Sequence, residues 1–164
     1  KPEQADKIKF EGIYGEIAVA ASYPGAAGDL GSTDDNIDLA KKYTASKNVN
    51  GSFEQGQIVR VEITPVFSES APEGFYEITD ILPAGFRYVK PERYEINVCY
   101  PIRRSGQRVV FAYHYSKETP QKSLVYFARA AVPGTYTADH AVIKHTNTNT
   151  RVLSDRITVK IQKP

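Results

Sequence analysis

The chain has 164 residues, with 21 Lys and Arg against 19 Asp and Glu for a formal charge of +2. That length suits one domain, residues 1–164, with a core of its own, and the scattered charges speak against a nucleic-acid stripe or a polybasic membrane patch. No apolar run approaches the roughly 20 residues that a membrane helix needs, and no signal-like segment opens the sequence. Because it begins Lys1-Pro2 and holds no methionine, the expectation is a piece of a longer polypeptide whose targeting signal lies elsewhere. The lone Cys99 cannot close an internal disulfide, which argues against a disulfide-rich animal module and fits a bacterial envelope or cytosolic protein.

In chain order, the dominant period is two. GEIAVAASY places Ile17, Val19, Ala21 and Tyr23 on one face, as a half-buried strand requires. A polar, Gly-rich loop, Pro24 to Asn36, leads to IDLAKKYT, where Ile37, Ala40 and Thr44 also share a helical face; a strand is the preferred reading. After a second polar loop, Ala45 to Gln55, IVRVEITPVF alternates Val59, Val61, Ile63 and Phe67 against Arg60, Glu62 and Thr64. FYEITDIL follows with Tyr76, Ile78 and Leu82, and then DILPAGFRYV. There Pro83 has no N–H for a ladder, and Gly85 offers the positive φ of a tight reversal, so the run predicts a turn between strands. RVVFAYHY (Val109, Phe111, Tyr113, Tyr115), SLVYFARAA, GTYTADHAVI and RITVKI (Ile157, Val159, Ile161) complete the set, with Pro133-Gly134 as a turn. Eight or nine strands at this spacing predict an all-β fold, an antiparallel β-sandwich. Val59, Val61, Ile63, Phe111, Tyr113, Val159 and Ile161 are its expected shared core.

Chemistry finds little foothold in this pattern. His140 and His145 with Asp139 are the nearest approach to a metal site, but the histidines are five apart and need a bend between them to meet; a solvated edge strand is the plainer reading. Asp34, Asn36 and Asp38 place oxygens like the start of a calcium loop, yet Leu39 stands where glycine is needed and Ala45 where a bidentate carboxylate is needed. Cys99 in YEINVCY has no activating neighbour and reads as buried and inert. Gly-x-Ser-x-Gly, a Gly-rich phosphate loop and His-Glu-x-x-His are all absent from the sequence. The expectation is therefore a non-enzyme with no cofactor and no metal.

Four segments carry a resemblance: GQIVRV (Gly56 to Val61), DILPAG (Asp80 to Gly85), QRVVF (Gln107 to Phe111) and YFARAAVPGTY (Tyr126 to Tyr136). In this order and spacing the series resembles the C-terminal domain of bacterial alpha-2-macroglobulins, with its "G-d-x-v-x-V", "D-x-L-P-A-G", "D-R-v-x-F" and "Y-x-x-R-A-x-x-P-G-x-[FY]" segments. GEIAVAASY and IDLAKKYT also resemble strands of that domain, the latter its "l-x-v-x-r-x-Y" strand, so the resemblance spans about Gly15 to Ile161. The shared residues read mostly as scaffold: Pro83, Gly85, Pro133 and Gly134 shape turns, and Arg129 is expected to pair with a carboxylate such as Asp80.

The resemblance implies a role within a whole molecule that traps proteases, often through an internal thioester in a Cys-x-Glu-Gln motif. This sequence has no such motif, so the implied role is to dock on the thioester-bearing helical domain of the same polypeptide and to move when cleavage occurs. Proteases would be indirect partners, nucleic acid and membrane none, and the place a bacterial cell envelope or exterior. Where the family carries an "M-Y-x-P-E" loop, HAVIKHTNTNTRV stands instead, which leaves the presence of a thioester in the parent protein open. The loop from His140 to Val152 takes that place, making His140, Lys144, His145, Asn147, Asn149 and Arg151 the candidate docking residues; a solvated Thr- and Asn-rich hairpin is the alternative. No receptor-binding lysine helix of the vertebrate type is identifiable. LPAGFRYV alone would equally suit an immunoglobulin-like spacer or adhesin module of a bacterial surface protein.

Overall fold

Alternation of apolar and polar side chains governs every long strand of the computed structural model, which describes residues 31–45, 48–49, 51–91 and 94–164. The strand expected at GEIAVAASY lies outside these residues. In chain order, β1 (Ile37–Ala45), β2 (Asn48–Val49), β3 (Ser52–Glu54) and β4 (Ile58–Phe67) come first. Then follow β5 (Gly74–Ile81), β6 (Phe86–Val89), β7 (Val98–Cys99), β8 (Arg103–Ser105) and β9 (Arg108–Tyr115). The last five are β10 (Ser123–Ala130), β11 (Gly134–Ala138), β12 (Val142–His145), β13 (Arg151–Leu153) and β14 (Ile157–Gln162).

These strands form three sheets. The largest has the order β2-β1-β4-β10-β6, with β7 also paired to β10, and the five-stranded sheet has the order β13-β12-β5-β9-β8. A small third sheet, β11-β14-β3, completes the fold. The expected all-β, antiparallel sandwich is what forms, with two short exceptions: β7 runs parallel to β10, and β3 parallel to β14. IDLAKKYT is a strand, because Ile37, Leu39, Tyr43 and Ala45 are buried while Asp38, Ala40 and Lys42 are exposed, a period that no helix reproduces.

GTYTADHAVI departs from expectation, being two strands in two different sheets. Asp139 Oδ1 accepts the His140 N–H at 2.9 Å, and Ser154 Oγ accepts the Ala141 N–H at 2.9 Å. With these amides bonded to side chains, the ladder stops after β11 and the chain crosses to β12. The opposite substitution, a side chain extending a ladder, occurs at Gln121. Its amide donates to the Phe67 carbonyl and accepts the Phe67 N–H, both at 3.0 Å, where the β10 register has ended at Leu124 opposite Ile63. Pro65 falls in that same stretch of β4 beyond the register, so its missing N–H interrupts no β10 pairing.

The seven expected core residues are all buried in one cluster. Each such side chain contributes on the order of 1.5 to 3 kcal/mol. Aromatic contacts join the two larger sheets: Phe67 on β4 stacks on Tyr115 of β9 at 4.1 Å between centroids and meets Tyr76 of β5 edge-on at 5.0 Å. Phe53 of β3 meets Phe86 of β6 edge-on at 6.2 Å, tying the small sheet to the same core.

Two charges sit inside this core. Lys41 on β1 and Asp80 on β5 have fully buried side chains, and Lys41 Nζ donates to Asp80 Oδ1 at 3.0 Å. Tyr126 on β10 donates its hydroxyl to Asp80 Oδ2 at 2.8 Å, the Ile81 N–H donates to Oδ1 at 2.9 Å, and Lys41 also donates to the Asp139 carbonyl. The pairing of Asp80 with Arg129 is thus corrected. Arg129 occupies the outward face of β10 and is exposed, with Nη1 3.5 Å from the Gly56 carbonyl, because the period of two that turns Tyr126 and Ala128 inward turns Arg129 outward.

The DILPAG turn closes with the Phe86 N–H donating to the Pro83 carbonyl at 2.9 Å. Gly85 is needed there for closeness rather than for a left-handed φ, since a Cβ on it would lie 2.2 Å from the Tyr136 ring. Tyr136 in turn donates its hydroxyl to the Val132 carbonyl at 3.0 Å, and Gly134 has the left-handed φ of 153°. One aromatic ring therefore fastens the turn after β5 to the turn before β11.

Removing one buried charge strands the other in a low-dielectric interior. Asp80→Ala is expected to destabilise the fold by about 3–5 kcal/mol in denaturant titration, and the double replacement Lys41→Met with Asp80→Leu to recover part of that loss. At the turn, Gly85→Ala is expected to cost about 1–3 kcal/mol by overpacking, with a smaller penalty in a Tyr136→Ala background. Equal penalties in both backgrounds would show that the ring is not the cause.

Candidate docking surface

The segment from His140 to Val152 is a hairpin, β12 paired with β13 through Val142 opposite Leu153 and Lys144 opposite Arg151. It lies at the margin of the five-stranded sheet, beside β5. Its six candidate docking residues divide into two groups. Lys144, Asn147 and Asn149 are exposed, whereas Arg151 and His140 are half-buried and His145 is buried.

The histidines serve the interior of the hairpin. His140 Nδ1 is hydrogen-bonded to the Ser154 carbonyl. His145 lies edge-on against Tyr76 at 4.8 Å, with Nδ1 3.0 Å from Thr148 Oγ1 and Nε2 3.3 Å from the Glu73 carbonyl. The ring also occupies the space beside Gly74, where a Cβ would approach Nε2 to 2.8 Å and where φ is 135°. His145 is thus a fastener within the hairpin rather than a surface contact.

Asp139 is likewise committed. Arg156 Nε donates to its Oδ1 at 3.0 Å, alongside the His140 N–H. Burial pushes its carboxyl up, but these hydrogen bonds and the Arg156 charge outweigh that and hold it below the usual carboxylate range.

Residues 31–36 run along the hairpin's outer edge. The Thr33 N–H donates to the Arg151 carbonyl at 2.7 Å, Thr33 Oγ1 accepts the Arg151 N–H at 2.8 Å, and Arg151 Nε donates to the Gly31 carbonyl at 3.2 Å. Asp34, considered above as a calcium ligand, uses Oδ1 to accept the Asn36 N–H at 2.8 Å, forming an Asx turn, and Oδ2 to accept the Thr150 hydroxyl at 3.3 Å. Asp38 Oδ1 accepts the neighbouring Leu39 N–H at 2.9 Å. The arrangement braces one edge of the hairpin and leaves the 146–149 tip exposed.

Cys99 is half-buried rather than buried, packed against the core from β7. Burial pushes its thiol up, opposed by nearby Lys122, so the protonated form dominates at neutral pH. The sequence reading missed Lys41 and Asp80 as a pair, although the signal was present. In the period of two, Lys41 falls on the face of Leu39 and Tyr43, and Asp80 on the face of Ile78 and Leu82.

Strand order and packing define an all-β, largely antiparallel sandwich. Solved structures specify it further. The chain matches a crystal structure of native Escherichia coli alpha-2-macroglobulin running from domain MG7 to the C-terminus, with a TM-score of 0.62 at 19% identity, over 84% of this chain and 25% of that one. It matches the cryo-electron-microscopy structure of native E. coli alpha-2-macroglobulin with a TM-score of 0.64 at 19% identity, over 85% of this chain and 10% of that one. A mutant Salmonella alpha-2-macroglobulin gives 0.62 at 22% identity, over 84% and 10%. The fold is therefore that of a region of the bacterial alpha-2-macroglobulins, as the motif series implied, and the chain spans a quarter or less of these proteins' lengths. No family model and no curated protein matches the sequence.

The hairpin's anchor carries a pH prediction. Tyr76, beneath His145, is pushed up to about 12 by burial first and by the nearby Asp34 charge second. Tyr43 and Tyr126 are raised well above the ordinary value, by burial and then by Asp80. A phenol raised in the folded state contributes stability that is complete below its unfolded value of about 10 and is lost as pH rises through the folded value. Base titration is expected to hold the fold to about pH 10 and then unfold it cooperatively, with tyrosinate absorbance and loss of circular dichroism rising together. Full tyrosinate absorbance with an intact β spectrum would contradict this.

Proposed function

We propose that this chain is a non-catalytic domain that works by contact inside a larger bacterial envelope protein of the protease-trapping kind. The observation that supports this most strongly is the coincidence of the ordered motif series with the macroglobulin-like fold over most of the chain. The motif residues meet in space. Asp80 joins Tyr126 within the core, and Gly85 meets Tyr136, so the series describes one packed unit rather than four unrelated strands.

On this reading the 1–164 segment is one domain, and the partner is another domain of the same polypeptide, the helical one that carries a thioester in members that have it. Such contacts bury about 600 to 1,500 Å² and are fairly polar. The exposed Lys144, Asn147 and Asn149 at the hairpin suit a polar contact of that type. Cleavage elsewhere in the parent would change the contact, and the domain's movement would be its mechanical contribution.

Limited proteolysis of the full-length parent, followed by hydrogen exchange, tests this. The expected result is a change in protection in residues 140–152 or another surface of this domain after cleavage, with the protease retained. Unchanged exchange throughout and no retained protease would make the domain a passive spacer, as in the adhesin-like alternative.

A further inference from the structure

On the opposite side of the five-stranded sheet from the hairpin, two open cavities of about 360 and 460 Å³ adjoin, sharing Tyr88 and Arg104 in their walls. Together they form a groove along the open side of the sandwich. One wall is β6, the end strand of its sheet, where the Phe86 N–H and carbonyl are already bonded to Pro83 and Arg87, and the other is β8, the end strand of the five-stranded sheet among the described residues.

The chemistry of the lining is one-sided. Arg87, Lys90, Arg103 and Arg104 all line it, and no described residue lining either cavity is acidic. Arg87 Nη1 donates to the Ala84 and Phe86 carbonyls, each at 2.8 Å, and the Arg104 guanidinium lies 4.9 Å over the Tyr88 ring. These contacts hold both cations in place, and no carboxylate among the described residues pairs with either. Among the described residues Arg103 alone of the four reaches a carboxylate, Glu77 at 3.7 Å, in a pair exposed on both sides and so of little strength. Beside the cations, the groove displays apolar surface that the core does not use: Tyr94 is 62% exposed and Ile102 67%.

We propose that this groove is a docking site for an extended, acidic protein segment bearing aliphatic side chains. Charge complementarity selects the occupant, since carboxylates are what clustered guanidinium and ammonium groups bind in a bidentate or pointwise manner. The exposed Tyr94 and Ile102 give the aliphatic side chains a surface to cover. The β8 edge supplies backbone partners in the manner of strand addition. The proposal rests on the reading of the chain as a contact domain and names a second contact surface for it.

The test uses the whole chain and a fluorescein-labelled peptide of alternating Glu and Leu, followed by anisotropy. Saturable binding is expected, weakened by added salt, and absent for the matching peptide of alternating Lys and Leu. Arg104→Glu with Lys90→Glu should weaken it roughly tenfold or more, whereas Lys160→Glu on β14 should leave it unchanged. All three side chains are exposed, so thermal melts should stay within error of the parent chain and separate loss of binding from loss of fold. No saturable binding, or binding indifferent to the paired reversal, overturns the proposal, as does tighter binding of a single-stranded oligothymidylate that the same reversal abolishes. Exchange changes after cleavage that leave the groove untouched would keep the contact reading while removing this surface from it.

Discussion

A carboxylate and an ammonium group taken out of water need each other, and the Lys41–Asp80 pair imposes that need on the whole sandwich. Lys41 comes from the larger sheet and Asp80 from the five-stranded sheet, so the two faces meet in the one register that brings these groups together at 3.0 Å. Sliding either strand by one residue would turn its charge to the surface and leave the other alone. Tyr126 and the Asp139 carbonyl extend the same constraint to β10 and to the crossing between β11 and β12. A hydrophobic interface alone is less particular about register. The pair is therefore a reason why this core adopts one arrangement among several of similar apolar area.

The second constraint is steric. Tyr136 fills the space that a side chain at position 85 would take, and its hydroxyl reaches back to Val132. The Gly85 carbonyl also accepts the N–H groups of Ala131 and Val132, at 2.8 and 3.0 Å. Segments some fifty positions apart are locked by one ring and a pair of hydrogen bonds. This explains in physical terms why the residues that carry the motif resemblance are scaffold residues. They hold turns and charges together.

Polar residues with chemical potential are largely spent on the fold. His140, His145, Asp34 and Asp139 all have internal partners that brace the β12–β13 hairpin against its neighbours. Among the described residues, a polar hairpin tip stays exposed on one margin of the sheet and a cationic, aromatic groove opens on the other, the two surfaces to which the proposals above assign contacts.

Strand identity was legible in the sequence wherever one face is buried, because a period of two then leaves its mark in apolar residues. IVRVEITPVF, RVVFAYHY and RITVKI needed no tertiary information, and IDLAKKYT lost its helical alternative to the same alternation. The division of GTYTADHAVI was hidden, since the Asp139 and Ser154 side chains that end the ladder find their partners only in the folded chain. So was the partner of Asp80: the sequence put the acid on the inward face, but which cation would meet it across the sandwich depended on how two sheets superpose. Gly85 was legible as a turn glycine, yet its reason, a tyrosine ring from the far side of a crossing, was not. The groove was least visible of all. Arg87, Lys90, Arg103 and Arg104 are scattered over two strands and their connection, and they share one opening only because β6 and β8 end their respective sheets on the same side. Local alternation decides which way each side chain points; sheet order decides which side chains become neighbours, and that order is a property of the packed whole.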